Sequence, residues 1–208
     1  MIKLAAFKFS LILLSILFPA LLYASESKFP EGKYYSVVKT IQQTKKPTVT
    51  EFFSYYCSHC FKFENYFNYL KTVTPKNTEF KKIYFVGIGG DKTDLLQKSY
   101  LSSVLLGVSD KVSARLFNLV QTQKKPPRNQ SEMVKVFENI GISKDNFLQA
   151  YNSFSVETLA HQDDKIIKKS KVNAVPKLLI NNKYLINTKF IKTKKQYTEL
   201  INYLLTKS

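Results

Sequence analysis

The periodicity of apolar and polar positions changes several times along the chain, first from strand to helix. The run Thr48–Tyr56 (TVTEFFSYY) is rich in β-branched and aromatic residues and predicts a buried strand. Apolar residues then recur at near-helical spacing from Phe61 to Val73, and Pro75 ends the predicted helix. Lys82–Val86 (KIYFV) predicts a second strand. A strand, a helix and a strand in this order predict a right-handed parallel crossover.

The pattern is helical from Asp91 to Ser170, apart from one loop. The loop is predicted at Gln121–Gln130, where prolines and charges interrupt the apolar period. So long a helical stretch between strands indicates an inserted all-helical domain. Its helices are predicted over Asp94–Leu106, Ser109–Val120, Ser131–Asn139, Ser143–Asn152 and Ser155–Ser170.

Strand-forming residues return after the helical stretch. Lys177–Ile180 (KLLI) and Lys183–Ile186 (KYLI) flank two asparagines, which tolerate the positive φ angles of a hairpin turn. Thr193–Leu205 is amphipathic and predicts a closing helix. The predicted fold class is therefore α/β, with a sheet domain at 25–90 and 172–208 that is divided by a helical domain at 91–171.

Residues 1–24 have the layout of a secretory signal peptide. Lys3 and Lys8 form a basic start, Phe9–Leu22 is a mostly apolar run, and small residues follow at Ala24 and Ser25. The apolar run is shorter than the roughly 20 residues that a membrane-spanning helix needs, although a retained membrane anchor is the alternative. We therefore expect a mature chain that starts near Ser25 in an oxidising compartment, where disulfides persist.

Composition narrows the function classes. The 208 residues include 32 lysines and arginines against 15 acidic residues, which gives a formal net charge of +17. Nearly all of these basic residues are lysines, which indicates a solvated surface rather than a nucleic-acid site, where arginine forks are preferred. Two cysteines exclude a disulfide-rich scaffold. Because Cys57, Cys60, His59 and His161 lack the paired spacing of a closed zinc site, we expect no metal and interpret His161 as a surface residue.

Both cysteines lie in one Cys-x-x-Cys motif, where the first strand passes into a helix. Unpaired N–H groups and the dipole at a helix start favour negative charge, so Cys57 is predicted to be the attacking, low-pKa thiol. Cys60 lies one turn further in and is predicted to be the buried, resolving thiol, while His59 adds a donor or a positive charge. A structural disulfide is the alternative, but so short a loop cross-links very little of the chain. The motif therefore predicts redox chemistry.

The segment Glu51–Glu64 (EFFSYYCSHCFKFE) resembles the active-site segment of the DsbA-type thiol:disulfide oxidoreductases. Gly89-Gly90-Asp91 and Ala174-Val175-Pro176 are similar to the same family, and the resemblance extends over essentially the whole mature chain. It implies a thioredoxin-like fold with an all-helical insertion domain. It also implies a periplasmic location, donation of the Cys57–Cys60 disulfide to newly exported, unfolded proteins, and reoxidation by a DsbB-type, quinone-linked partner in the inner membrane. No cofactor and no nucleic-acid partner are expected, and the protein is expected to be a monomer.

The resemblance also implies roles for single residues. Glu51 and Lys82 match a buried pair that moves a proton to or from the buried cysteine, and a solvent-facing Glu51 is the alternative. Pro176 matches a cis-proline held against the cysteines, and Val175 keeps its backbone groups free to pair with an extended substrate. The most common dipeptide of the family is Pro-His where this chain has Ser58-His59, so the rigidity of proline at the helix start is lost. We still expect an oxidant, because the histidine is retained.

Two other functions stay open on the sequence alone. A disulfide isomerase or reductase uses the same motif, but such isomerases usually dimerise through an extra N-terminal domain, and the segment between Ser25 and Thr48 is short. A peptide-binding periplasmic chaperone with an incidental disulfide is the third alternative. Replacing both cysteines by serine separates it from the enzymes, because a chaperone retains its activity.

Overall fold

The computed structural model describes residues 27–207, so the predicted signal peptide lies outside the described residues. The described chain forms one mixed sheet, to which every strand below belongs. The strands are β1 (Tyr35–Val37), β2 (Thr48–Phe53), β3 (Glu79–Tyr84), β4 (Lys177–Ile180) and β5 (Tyr184–Ile186). Their order across the sheet is β1-β5-β4-β2-β3, which places β2 and β4 in its interior together with β5.

β2 is the strand that leads to the cysteines, and all six of its residues are buried. It pairs in parallel with β3 and antiparallel with β4, and α1 (Ser58–Val73) connects β2 to β3. The predicted parallel strand–helix–strand crossover is therefore confirmed. The hairpin of β4 and β5 is confirmed as well, and Asn181 and Asn182 both have a φ of 55° in its turn.

The sequence pattern predicted a strand that continues to Tyr56, but β2 ends at Phe53. Ser54 ends the ladder, because its hydroxyl oxygen accepts the backbone N–H of Tyr56 at 3.2 Å and its carbonyl accepts the N–H of Cys57 at 3.0 Å. Serine side chains compete in this way with the regular hydrogen bonds of a strand. The resulting turn delivers Cys57 to the start of α1.

Two further strand predictions differ from the structure. β3 begins at Glu79 and ends at Tyr84, whereas the sequence pattern predicted Lys82–Val86. The turn after α1 is tight, with the Thr78 N–H donating to the Pro75 carbonyl at 2.9 Å, so pairing with β2 begins early, at Glu79. The pattern did not predict β1, because three residues are too few to show an alternation. β1 pairs with β5 at one edge of the sheet.

The stretch between β3 and β4 is helical, close to the predicted boundaries. One boundary is wrong: the helix predicted to reach Val120 ends at Phe117 and continues as a π-helical turn over Asn118–Thr122. None of the helices within residues 27–207 is long and apolar enough to cross a membrane. The remaining helices are α2 (Thr93–Leu105), α3 (Ser109–Phe117), α4 (Gln130–Glu138), α5 (Lys144–Tyr151), α6 (Phe154–Ser170) and α7 (Lys194–Thr206).

Apolar side chains on both faces of the sheet fix its position between the helices. On one face Val49 packs in a cluster with residues of α1 and α7, among them Leu70. On the other face Phe52 packs with Ile167 of α6. Phe53, the last residue of β2, belongs to a third cluster with buried residues of α2 to α6. Each such side chain contributes about 1.5–3 kcal/mol when fully buried, so the strand end that precedes Cys57 is firmly held.

Candidate active site

Cys57 occupies the N-cap of α1, at the helix start where the sequence predicts it. Its sulfur accepts the backbone N–H of Cys60 at 3.1 Å and lies 3.4 Å from the carbonyl oxygen of Val175. The first turn of α1 holds no acidic residue, so the positive end of the helix dipole is not neutralised locally. Both cysteines are free thiols, with 8% of Cys57 and none of Cys60 exposed.

The pKa values of the two thiols are shifted in opposite directions. The pKa of Cys57 is lowered to about 6, chiefly by the hydrogen bond from the Cys60 thiol. Burial opposes this shift, while the backbone N–H groups of Cys60 and His59 and the charge of His59 support it. The pKa of Cys60 is raised well above its usual range, because its thiol donates to Cys57 and because it is buried. At neutral pH the more exposed sulfur is therefore a thiolate and the buried one keeps its proton.

The dipeptide between the cysteines faces solvent. Ser58 and His59 are both exposed in the first turn of α1. His59 also lines a groove beside the cysteines, together with Val175 and Pro176. The histidine can therefore meet both the Cys57 thiolate and a bound substrate.

Glu51 is fully buried beside Lys82, so the alternative of a solvent-facing Glu51 is wrong. They lie opposite each other in the register of β2 and β3, and Lys82 Nζ is 3.2 Å from Oε2 of the fully buried Glu51. Lys82 also donates a short hydrogen bond to the carboxylate of Glu64 on α1. The sequence analysis missed Glu64. Its only signal was its place four residues after Cys60, one turn along the same helix face.

The acid–base properties of this trio follow from its burial. Burial raises the pKa of Glu51 to about 8 against the lowering effect of the Lys82 charge, and the charges of Glu64 and Cys57 add to the increase. Burial also acts to lower the pKa of Lys82, but the charges of Glu51 and Glu64 outweigh it and raise that pKa. Glu51 in turn contributes to the raised pKa of Cys60. The trio can hold or release one proton near neutral pH, within electrostatic reach of the buried thiol.

The Val175–Pro176 peptide bond is cis, in agreement with what the resemblance implies for Pro176. The Val175 carbonyl contacts the Cys57 sulfur, so this loop lies against the cysteine pair. Val175 and Pro176 are half-buried and form one side of the groove, whose volume is about 710 Å³. The loop that contacts Cys57 thus also borders the groove.

Two contacts outside the predicted site position the turn before Cys57. Gln121, in the π-helical turn, donates its side-chain amide to the Tyr55 carbonyl at 2.6 Å. Gly89 has a φ of 124°, and a Cβ at this position would lie 2.7 Å from the ring of Tyr56. The first contact was not foreseen, because no periodicity signals a π turn. The second explains why the Gly89-Gly90-Asp91 motif needs glycine at its first position.

His161 is an exposed residue of α6, with its Nε2 3.5 Å from the carboxylate of Glu157, as expected of a surface residue. Among residues 27–207, no group of three or more His, Cys, Asp or Glu side chains is arranged to hold a metal ion. The chemistry that the site supports is thiol–disulfide exchange between the two cysteines and a substrate thiol.

Comparison with known proteins agrees with this chemistry. The DSBA-like thioredoxin domain family matches residues 89–197. The thiol:disulfide interchange protein DsbA of Pectobacterium carotovorum subsp. carotovorum is 33% identical over 196 residues, covering 88% of this chain and 92% of that protein. The protein of the same name from Escherichia coli K12 is 31% identical over 193 residues, with 88% and 92% covered. Matches of this length necessarily include the Cys57–Cys60 segment.

Solved structures agree with the sequence relatives. The disulfide oxidoreductase DsbA from Proteus mirabilis superposes with a TM-score of 0.73 at 29% identity, over 86% of this chain and 97% of that one. A cysteine variant of the same DsbA, in complex with a non-covalently bound peptide, superposes with a TM-score of 0.75 at 28% identity, over 86% and 98%. The cysteine pair, the fold and these relatives together establish that the chain is a thiol:disulfide oxidoreductase and belongs to the DsbA-like thioredoxin family.

Proposed function

We propose that this protein is an oxidant, which donates its Cys57–Cys60 disulfide to newly exported proteins. The observation that carries the proposal is the lowered pKa of Cys57, which results from donors in Cys60 and the helix start. The stabilised thiolate exists only in the reduced protein. It therefore favours reduction of this disulfide and, equally, oxidation of the substrate.

The exchange proceeds in two steps. A substrate thiolate attacks the Cys57 sulfur, which is the more exposed of the pair, and the Cys57–Cys60 bond breaks as a mixed disulfide forms. Cys60 leaves as a thiolate and takes up a proton. A second substrate thiolate then attacks the substrate sulfur of the mixed disulfide, and Cys57 leaves as a thiolate. The substrate gains a disulfide, and the enzyme pair has accepted two electrons.

The proton that Cys60 takes up needs a buried source. We propose that Glu51 supplies it, because its pKa of about 8 keeps the carboxyl group largely protonated at neutral pH. Lys82 contacts the Glu51 carboxyl group from the neighbouring strand and donates a hydrogen bond to Glu64 on α1, so it positions Glu51. Glu51 and Lys82 thus take the proton-transfer role that the resemblance implies for them, and His59 assists by stabilising the Cys57 thiolate.

Substrate alignment falls to the Val175–Pro176 loop. We propose that an extended substrate pairs with the backbone of Val175, while Pro176 offers no N–H in competition. The contact of the Val175 carbonyl with the Cys57 sulfur supports this arrangement, since any chain paired there lies beside the reacting atom. The peptide complex of the Proteus mirabilis relative supports it by analogy.

The cellular setting that fits this function is the periplasm. We propose that residues 1–24 are a cleaved signal peptide, that the protein acts as a monomer, and that a DsbB-type, quinone-linked membrane partner reoxidises it. We also propose that residues 25–90 and 172–208 form a thioredoxin-like domain and 91–171 an inserted helical domain. The helices α2 to α6 share one hydrophobic cluster, which supports this division, and the cysteine end of the sheet domain joins that cluster through Phe53, Tyr84 and both cysteines.

The equilibrium of the cysteine pair with glutathione tests the proposal. An oxidase is expected to remain reduced in glutathione mixtures that keep an ordinary dithiol oxidised. A pair that is oxidised as readily as an ordinary dithiol would favour a reductase or isomerase instead. A double Cys57→Ser, Cys60→Ser variant is expected to lose all substrate oxidation, whereas a chaperone would retain its effect on refolding.

A further inference from the structure

The groove beside the cysteines has an apolar floor and a basic rim. It lies between the first turns of α1, the Val175–Pro176 loop and the start of α7. The rings of Tyr66 and Tyr197 stack at a centroid distance of 5.4 Å on its floor. Its rim carries four lysines, and no aspartate or glutamate of residues 27–207 lines it. The four lysines are Lys62, Lys177, Lys192 and Lys194.

These four ammonium groups have no anionic partner within the described chain. None of them forms an ion pair or a side-chain hydrogen bond with another of residues 27–207. Other exposed lysines of this lysine-rich chain are unpaired as well, and only a few, such as Lys28, Lys82 and Lys98, pair with a glutamate. What distinguishes the four groove lysines is that they surround one apolar groove that no acidic residue of 27–207 lines. A cluster of unpaired like charges around one apolar groove costs electrostatic free energy, and a negatively charged ligand relieves that cost.

The start of α7 adds to the positive potential. α7 is 13 residues long, and its N-cap Thr193 and first residue Lys194 both line the groove. A helix of this length carries partial positive charge at its N-terminus, where carboxylates are stabilised. The groove is thus lined by four lysines and the start of a helix, and no acidic residue of 27–207 lines it. These features together favour a ligand that carries an anionic group.

We infer that the groove selects substrate segments that carry aspartate or glutamate next to the cysteine that is oxidised. This inference rests on the proposed function, because the mixed disulfide with Cys57 is what holds the substrate chain beside Val175. Apolar side chains of the segment rest on the tyrosine floor, and its carboxylates face the lysine rim. Segments with lysine or arginine at the same places are repelled.

The position of the acidic residues in a peptide distinguishes selection by the groove from attraction by the whole chain, whose net charge is +17. Overall charge attracts every acidic peptide, wherever its acids stand, and it is screened beyond about 8–10 Å at physiological salt. The groove acts only on acids close to the reacting cysteine. The test therefore compares peptides of identical composition that differ in the place of their acidic residues.

Four peptides with two cysteines each serve as probes. In the first peptide aspartates flank the cysteines, and in the second the same aspartates lie at the end of the peptide that is remote from the cysteines. In the third peptide lysines flank the cysteines, and in the fourth the flanking residues are neutral. We expect kcat/KM for the acid-flanked peptide to exceed that for the lysine-flanked one by about tenfold at physiological ionic strength, where the attraction of the whole chain is screened. We expect the isomer with remote acids to behave like the neutral peptide.

Charge reversal on the rim tests the assignment to the groove. The triple variant Lys62→Glu, Lys192→Glu, Lys194→Glu is expected to reverse the preference. The control Lys76→Glu, Lys144→Glu, Lys168→Glu makes the same change in net charge at exposed lysines outside the groove, and is expected to keep it. The milder double variant Lys192→Ala, Lys194→Ala is expected to reduce the preference without reversing it. The glutathione equilibrium of each variant shows whether the redox properties are unchanged.

The outcomes distinguish a failure of charge selection from a failure of the oxidase function. Equal rates for acid-flanked and lysine-flanked peptides, with the neutral peptide still oxidised, would overturn the inference and leave the oxidase function intact. An equal loss of preference in the groove variant and in the control variant would assign the effect to overall charge and would also overturn it. Failure to oxidise any peptide, the neutral one included, would contradict the proposed function itself.

Discussion

Cys60 stabilises the sulfur of Cys57 twice, through its backbone N–H at 3.1 Å and through its own thiol. The same contact that lowers the pKa of Cys57 raises that of Cys60, because one proton is shared unequally between the two sulfurs. The pair therefore presents a nucleophile and leaving group at its more exposed sulfur and a protonated thiol inside.

Replacing Cys60 by alanine is expected to raise the pKa of Cys57 by on the order of one unit, because the largest stabilising contact of the thiolate is lost. Ultraviolet absorbance of the thiolate across a pH titration measures the pKa. Cys60→Ser is the matched control, since its hydroxyl still donates a hydrogen bond and is expected to preserve much of the lowering. An unchanged pKa in the alanine variant would mean that the helix start alone stabilises Cys57.

Alkylation of the reduced protein at mildly acidic pH is expected to modify Cys57 before Cys60. Cys57 is a thiolate above a pH of about 6 and is 8% exposed, whereas Cys60 is fully buried and protonated. Peptide mass mapping after a short reaction identifies the modified residue. Earlier labelling of Cys60 would reverse the assignment of attacking and resolving thiols.

Glu51→Gln is expected to remove an inflection near pH 8 from the pH profile of substrate oxidation, because the carboxyl group with that pKa is gone. Stability also changes in a defined direction. A carboxyl group whose folded pKa is raised from 4.5 to about 8 destabilises the fold progressively as pH rises between these values. The variant is expected to lose this pH dependence in urea unfolding.

Glu64→Gln is the matched control for the proton role. It removes a carboxylate from the same lysine but leaves Glu51 in place. We expect the inflection to persist, shifted to lower pH, because the charge of Glu64 contributes to the raised pKa of Glu51. If Glu51→Gln leaves both the rate and its pH profile unchanged, Glu51 has no part in proton transfer.

The sequence predicted the elements that carry a strong local signal. The strand before the cysteines, the crossover helix, the hairpin with its two asparagines and the helical stretch are confirmed, since each has a clear period or turn residue. Glu51 and Lys82 were paired correctly because they lie on strands of one crossover. Boundaries such as the end of β2 at Phe53 were missed, because they depend on the side-chain hydrogen bond of Ser54.

Contacts between distant segments were beyond the reach of the sequence pattern. The pairing of Glu64 with Lys82 depends on how α1 lies across β3, and the hydrogen bond from Gln121 to Tyr55 depends on a π turn. The basic groove brings Lys62 of α1 together with Lys177, Lys192 and Lys194, which lie more than a hundred residues further along the chain. Such a cluster has no local signature in a chain whose charge is lysine-rich throughout.

Gly89→Ala is expected to destabilise the protein by about 1–3 kcal/mol and to slow substrate oxidation, since φ is 124° and the new Cβ would clash with the Tyr56 ring beside Cys57. Gly107→Ala is the control, because its φ of 69° is also unfavourable but a Cβ there meets nothing within 4 Å. Chemical unfolding and oxidation kinetics compare the two. Equal rates in both variants would show that the Tyr56 contact does not position the active site.

The cysteine pair is expected to reverse the usual stabilising effect of a disulfide at alkaline pH. Closing a four-residue loop stabilises the oxidised form by only ~1.9 kcal/mol in the chain-entropy model. The Cys57 thiolate stabilises the reduced form in opposition to this effect, because its pKa of about 6 lies well below the unfolded value of about 8.5. That depression is worth up to about 3.4 kcal/mol, less the part that solvent screening removes at this partly open site.

The direction of the pH dependence follows from linkage. Because the folded pKa is depressed, the thiolate contributes its full stabilisation above pH ~8.5 and loses it as pH falls through about 6. The stability of the reduced form relative to the oxidised form is therefore expected to rise across this interval and then to level off. Urea unfolding of both forms at a series of pH values measures the difference. An oxidised form that stays more stable by the same amount at every pH would mean that Cys57 is not a stabilised thiolate, and the assignment as an oxidant would give way to a reductase.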